Sequence, residues 1–266
     1  MRSNLHKKVL TVRGKGGTHR QTYYVADEKS GALKSQTVAT TVTPRERAQV
    51  HYGMLWSGRA NKDVDEALKA VAATHSVPGN LYKVKIRVTG ELDGANGIYH
   101  LSGPDRNQIH VSKYAEHPAA TAAHEYGHFL DHHLFGSGKA QMSSLGTHDY
   151  KNKRLQAELG GLKTAMYSSA AVQAIVQKHK AHARDKDYIG LAKTGYLLEP
   201  SEIFARAYAQ WIGTRSSPTI RRQIQEQGRI WNNHGYPAQW EDKDFEPIAR
   251  EFDRLFAQRG LRRSRQ

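Results

Sequence analysis

The stretch from Pro118 to Gly136 constrains this chain more than any other part of it. It runs Pro118-Ala119-Ala120-Thr121-Ala122-Ala123-His124-Glu125-Tyr126-Gly127-His128-Phe129-Leu130 and continues through Leu134-Phe135 to Gly136. A leading Pro, a run of good helix formers and a closing Gly predict one helix. The apolar residues on both sides of the histidines predict that it is buried. Two imidazoles four residues apart lie about 40° apart around a helix axis and reach a single metal ion. A buried pair of imidazoles without a ligand is costly, so H-E-x-x-H in this setting reads as a metal site rather than as a chance pattern among 15 His. Glu125 follows the first His and points to the side from which a metal-activated water loses its proton, as metal-assisted hydrolysis of a peptide requires.

Composition narrows the donors. The chain has 266 residues and no Cys, which excludes disulfides, thiolate ligands and a cysteine nucleophile. A zinc ion here must use His and carboxylate oxygens. No segment approaches the roughly 18 consecutive apolar residues of a membrane span, so no membrane partner is expected. Met1 to Lys8 is basic with no apolar stretch behind it, and it does not read as a secretory signal. The formal charge of +15 is uneven: residues 1–50 carry 10 Lys and Arg against 3 Asp and Glu, residues 51–150 carry 9 against 10, and residues 151–266 carry 21 against 12. The motif segment is near neutral between basic flanks. Such flanks suit non-specific contact with nucleic acid or an acidic protein surface, or serve solubility alone.

Periodicity gives an α+β outline in three parts. Residues 1–42 read as a basic N-terminal unit: a β-hairpin over 8–25, with Gly14-Lys15-Gly16-Gly17 in its turn, then a loop or linker over 26–42. Residues 43–212 read as the central domain. Thr43-Pro44 predicts a helix to Trp56, and Asn61 caps a second helix with Val64, Leu68, Val71 and Ala72 on one stripe. His75 continues that stripe as a packed or surface residue. Strands follow at 82–88, 97–101 and 108–112, with Gln108 to Lys113 as the sheet edge over the cleft. A helix is expected from Leu155 to Gln177, weakened by Gly160-Gly161, and another from Glu199 to Trp211. Residues 213–266 read as a helical extension, with a last helix from Asp244, its cap, to Ala257, and a basic, mobile tail from Arg259.

Catalytic zinc commonly takes three protein ligands. The third-His continuation is absent, since Asp131 and Leu134 stand where Gly and His are needed. Asp149 in Gly146-Thr147-His148-Asp149 is one alternative. Glu202 is preferred, because it lies on a helix of packing residues, Ile203-Phe204-Ala205, where a carboxylate is seldom buried without a partner. Glu199, three residues earlier before Pro200, is the other candidate. Stabilising an oxyanion also needs a donor; Tyr196 is the candidate, with Tyr188 and His110 behind it. His132 and His133 are expected at the rim of the site or in solvent.

The strands, the H-E-Y-G-H-F-L-D helix and the later P-S-E-I-F-A-R-A-Y segment resemble gluzincin-type metallopeptidases. The pattern is similar to that of the catalytic domain of anthrax lethal factor and, more closely, to the zincin-like large polyvalent protein-associated domain of phages and mobile elements. The likeness covers residues 80–212. It departs from lethal factor at Arg206, where that protein has an acidic residue. The resemblance implies a zincin-like fold, with a small mixed sheet packed on the motif helix and on a second ligand-bearing helix. It also implies Zn2+ held by His124, His128 and Glu202, Glu125 as general base, and Asp131 holding an imidazole N–H. Activity would be cleavage of a protein or peptide substrate, with phage structural proteins as partners, in the virion or the host cytoplasm. The competing expectation is a virion structural or DNA-associated protein in which the metal is structural or catalysis is vestigial.

Overall fold

The computed structural model describes residues 8–13, 19–26, 33–37, 41–44, 48–52, 59–101, 103–136 and 153–262. Its elements make an α+β fold. Strands β1 (Lys8–Arg13) and β2 (His19–Ala26) pair antiparallel, as the hairpin pattern predicts. Two further short strands, β3 (Leu33–Thr37) and β4 (Thr41–Val42), join β2, so the expected 26–42 linker is replaced in part by sheet. The helix expected from Thr43 to Trp56 is also corrected. Ala48–Tyr52 forms β5, aligned parallel with β7 (Val84–Thr89), and ladder pairing overrides the local Thr-Pro start signal.

The central sheet has the order β5, β7, β9 (Gln108–Ser112), β8 (Gly97–Tyr99), with β8 antiparallel to β9. A two-residue strand, β6 (Val77–Pro78), pairs with β4 instead. Alternation fixes which face of β7 is inside: Val84, Ile86 and Val88 are buried, while Lys85 and Arg87 are exposed. Below the buried face lie α1 (Arg59–Thr74) and α2 (Pro118–Leu130), the latter carrying the histidines. α1 starts at Arg59, so Asn61 lies within it rather than capping it, and its stripe of Val64, Leu68 and Val71 is buried. α2 begins at Pro118 as its sequence predicts, but its opening donors are not met by a local cap. The Ala120 N–H instead donates to Gln223 Oε1 at 2.9 Å, from a helix about a hundred residues on.

The remaining helices are α3 (Lys153–Ser168), α4 (Ala170–Asp185), α5 (Tyr188–Leu198), α6 (Pro200–Ser216), α7 (Pro218–Asn233) and α8 (Asp242–Gln258). The single helix expected over 155–177 breaks at Ser169, not at the glycines. Ser169 takes an extended backbone, caps α4 by accepting from the Val172 N–H, and accepts a bond from Trp240 Nε1 at 2.8 Å. Asp244, expected to cap the last helix, lies inside α8 and its carboxylate accepts the Ala170 and Ala171 N–H groups of α4. The basic tail is not mobile as far as residue 262. Leu261 is buried and its carbonyl accepts the Ser76 N–H at 2.6 Å, while Arg259 binds the Leu134 carbonyl and pairs with Glu158. One core contains Val64, Phe129, Tyr208, Ile220, Phe252 and Leu261, so residues beyond 213 pack into the same body as the motif helix. Among the described residues no helix is long and apolar enough to cross a membrane.

Candidate metal centre

α2 and α6 come together at a contact with almost no side chain in it. A Cβ on Gly127 would meet Ala205 Cα and Tyr208 Cδ1, each at 3.1 Å, so the two backbones approach as closely as Gly permits. That approach carries Glu202, on the first turn of α6, across to the histidines of α2. His124 Nε2 and His128 Nε2 are 3.1 Å apart; Glu202 Oε2 is 3.3 Å from the first and Glu202 Oε1 is 3.1 Å from the second. Zinc bonds of about 2.0–2.1 Å in a tetrahedron require ligand atoms about 3.3–3.4 Å apart. The imidazole nitrogens, and the Glu202 oxygen that faces each of them, have nearly that spacing. Among the described residues this triangle is the group of three able to hold a metal ion.

Glu125 sits beside this triangle, buried. Burial raises its carboxyl to about 7, assisted by Glu202 and opposed by His128 and the backbone N–H of Tyr99, which is the range for accepting a proton near neutrality. Burial also pushes Glu202 upward, but hydrogen bonding and charge from His124 and His128 win and hold it well below the usual carboxylate range. Tyr196 reaches the same place from the last turn of α5. Its side chain is half exposed and lines the same cleft as His124 and Glu125; burial and the nearby charges of Glu202 and Glu125 raise the phenol well above its ordinary value.

The strand above the centre is β8, which corrects the expectation that Gln108 to Lys113 is the edge. β9 is flanked by β7 and β8, whereas among the described residues β8 pairs on one side only. A Cβ on Gly97 would meet Thr121 Cγ2 at 2.5 Å and Glu125 Oε1 at 3.0 Å, so a side chain there would displace the candidate base. Between β8 and Tyr196 opens a cleft of about 290 Å³, lined by Gly97, Thr121, His124, Glu125 and, at its far end, Ile224 and Trp231 of α7.

Arg206, one turn after Glu202, is buried and holds the corner between α5 and α6. Its Nε donates to the Glu202 carbonyl at 3.2 Å, and its terminal nitrogens donate to the carbonyls of Leu197 and Ala238. The Leu197 carbonyl belongs to the last turn of α5, where no intrahelical donor remains. The guanidinium thus fixes the helix end that carries Tyr196 against the turn that carries Glu202. Desolvation lowers Arg206 to about 10, against the opposing charges of Glu202 and Tyr196, so it stays a cation at neutral pH.

Other sequence candidates lie elsewhere. Glu199 is exposed at the α5–α6 corner and is not in the triangle. Tyr188 is exposed on the first turn of α5 and does not line the cleft. His110 lies on β9 with Nδ1 3.2 Å from His100 Nε2. Asp149 falls outside the described residues. Asp131 is buried but does not hold His128, whose Nδ1 has no hydrogen-bond partner. His132 does not face solvent, His133 is half-buried, and neither lines the cleft. Asp131–Phe135 forms a π-helical turn, which carries the two rings off the α-helical spiral. His132 is fully buried on the Tyr99 hydroxyl at 2.7 Å, and His133 stacks on Tyr82. Sequence reasoning missed Gly97, Gln223 and Trp231. For Gly97 a signal existed, because Gly inside a strand marks a close approach.

No protein-family model, curated protein or solved structure matches the chain. The site therefore rests on its own geometry.

Proposed function

We propose that the chain is a zinc-dependent endopeptidase of zincin-like fold, with His124, His128 and Glu202 as ligands. The observation that carries this reading is the convergence of two imidazole nitrogens and a carboxylate within 3.3 Å, with a second, protonatable carboxylate alongside and, above it, a strand that is the sheet edge among the described residues. A purely structural ion has no use for Glu125. When bound, zinc supplies Lewis-acid polarisation of the scissile carbonyl and of the attacking water. Substrate binds extended along the open edge of β8, through backbone hydrogen bonds that barely depend on its side chains. Glu125 takes one proton from the water as its oxygen attacks the carbonyl carbon, then delivers that proton to the leaving amine as the C–N bond breaks. The Tyr196 hydroxyl donates to the oxygen that gains negative charge. The phage-type resemblance supports a role in protein processing during assembly of a phage or mobile element.

Glu125→Gln preserves shape but accepts no proton near neutral pH. Its zinc content should stay at one ion per chain while cleavage of unfolded protein falls at least about 10²-fold. Equal cleavage by the two forms removes Glu125 from the mechanism. Zinc bound by both forms with no cleavage by either would instead favour the structural reading. Glu202→Ala losing no zinc would remove the third ligand.

A further inference from the structure

The sequence of α5 is almost free of charge, Lys193 being its one ionised side chain, yet the helix hides little of itself. Gly190, Thr194 and Leu197 are buried, a line at i, i+4 and i+7 that faces one way. The opposite side carries Tyr188, Ala192 and Tyr196 at i, i+4 and i+8, with Ile189 beside them, all within about 100° of arc. Tyr188 is 76% exposed, Ile189 71% and Tyr196 49%. Among the described residues six large apolar side chains are exposed, and these are three of them. The platform beneath is firm: Asp187 caps α5 through the Gly190 N–H at 3.0 Å, and Thr194 Oγ1 bonds His179 Nδ1 of α4 at 2.8 Å.

Clustered apolar exposure on a fixed helix marks a binding surface, and position tells which kind. The stripe runs from Tyr188 directly into the candidate centre, because its inner member, Tyr196, lines the cleft together with His124 and Glu125. Its eleven residues span about 16 Å, the length of about five residues of extended chain. One helix face of that length falls well short of the roughly 800 Å² per partner that a stable dimer buries.

We propose that α5 is a docking face for the substrate polypeptide: an extended, unfolded segment of about five residues, rich in aromatic or branched apolar side chains, lies on Tyr188, Ile189 and Ala192 and enters the cleft past Tyr196. This rests on the peptidase reading given above. It makes that reading selective, since backbone pairing on β8 accepts any sequence while α5 admits segments that are apolar and already unfolded.

The test uses zinc-loaded full-length protein and a fluorescently labelled, unfolded casein. In the Glu125→Gln background, Tyr188→Ser with Ile189→Ser should weaken casein binding by about tenfold or more, from the apolar area no longer covered. In the active protein the same pair should raise KM for casein to a similar extent, with kcat within about twofold. Tyr114→Ser, another exposed aromatic outside the proposed face, should leave both unchanged. Casein binding that the pair does not alter, or no casein binding at all, overturns the proposal. So does a self-association seen in gel filtration, or binding to phosphatidylcholine vesicles, that the pair abolishes while casein binding persists. If binding responds but neither active nor Glu125→Gln protein cuts casein, the peptidase reading fails and the docking face stands.

Discussion

The two helices that meet at Glu199 make opposite use of their sequences. α6 carries Glu202, Arg206, Gln210 and Arg215, yet every residue from Glu202 to Gly213 is buried. α5 has one charged residue and buries three positions. Hydrophobicity alone would assign them the other way round. Burial of α6 is possible because its polar groups have fixed partners: Glu202 the imidazoles, Arg206 three carbonyls, and Gln210 the Trp240 carbonyl at 2.7 Å. α5 stays largely exposed because its buried contacts follow the 190–194–197 line, with Leu198 packed at its end. Where both ends of a polar contact are specified, the chain can bury charge.

The largest effect should come from Arg206. Arg206→Met keeps bulk but strands three buried carbonyls, and a loss of about 3 kcal/mol in urea-unfolding free energy is expected, together with weaker zinc binding. If stability and zinc affinity are both unchanged, the buried helix does not depend on its polar partners and the contrast collapses. Gly127→Ala comes next. The methyl would push against backbone at Ala205, and the gain in helix propensity offsets only part of that. A net loss of about 1 kcal/mol and a measurable drop in zinc affinity are expected; a more stable variant with unchanged affinity would show that α2 and α6 can part without cost.

A third measurement follows the end of α2. Burial lowers His133 to about 4 and, to a smaller extent, His132 and His110, while unfolded imidazoles titrate near 6.5. Between those values the unfolded imidazole of His133 holds more protons than the folded one, so its contribution to stability is complete above about pH 6.5 and is lost as pH falls toward 4, while Glu125, raised to about 7, acts in the opposite direction. The difference in melting between chelator-treated wild type and His133→Gln should follow that course, and an identical pH profile for the two would rule His133 out as a source. The smallest effect belongs to α5: Ile189→Ser should change stability by no more than about 0.5 kcal/mol. A loss of several times that would mean the face is already covered within the chain.

Spacing made the core of the candidate site legible. His124 and His128 were set by helical period, and Glu202 stood out as a carboxylate among packing residues; the structure brings these three together. Tyr196 was chosen on position alone, and the α5–α6 corner delivers it. What stayed hidden depended on distant partners. Ala48–Tyr52 is a strand because β7 lies beside it, against its own start signal. The edge passes to β8 because β9 already pairs on both sides. Asp244 looks like the cap of its own helix and serves α4 instead. The π-helical turn after Leu130 has no residue pattern that announces it, so the surroundings of His132 and His133 could not be foreseen.

The aromatic neighbours of α6 have a consequence for biosynthesis. Phe204 and Tyr208 pack against Phe252, and Trp211 against Phe252 and Phe256, so α6 lacks one aromatic face of its surroundings until the end of α8 exists. At roughly 5–20 residues per second, Phe256 is added about 3–11 s after Glu202. During that interval the nascent chain has both histidines and the glutamate but not the aromatic side chains that α8 packs on α6. Under the peptidase reading proposed above, full hydrolytic competence would then follow the synthesis of α8 rather than that of the ligands.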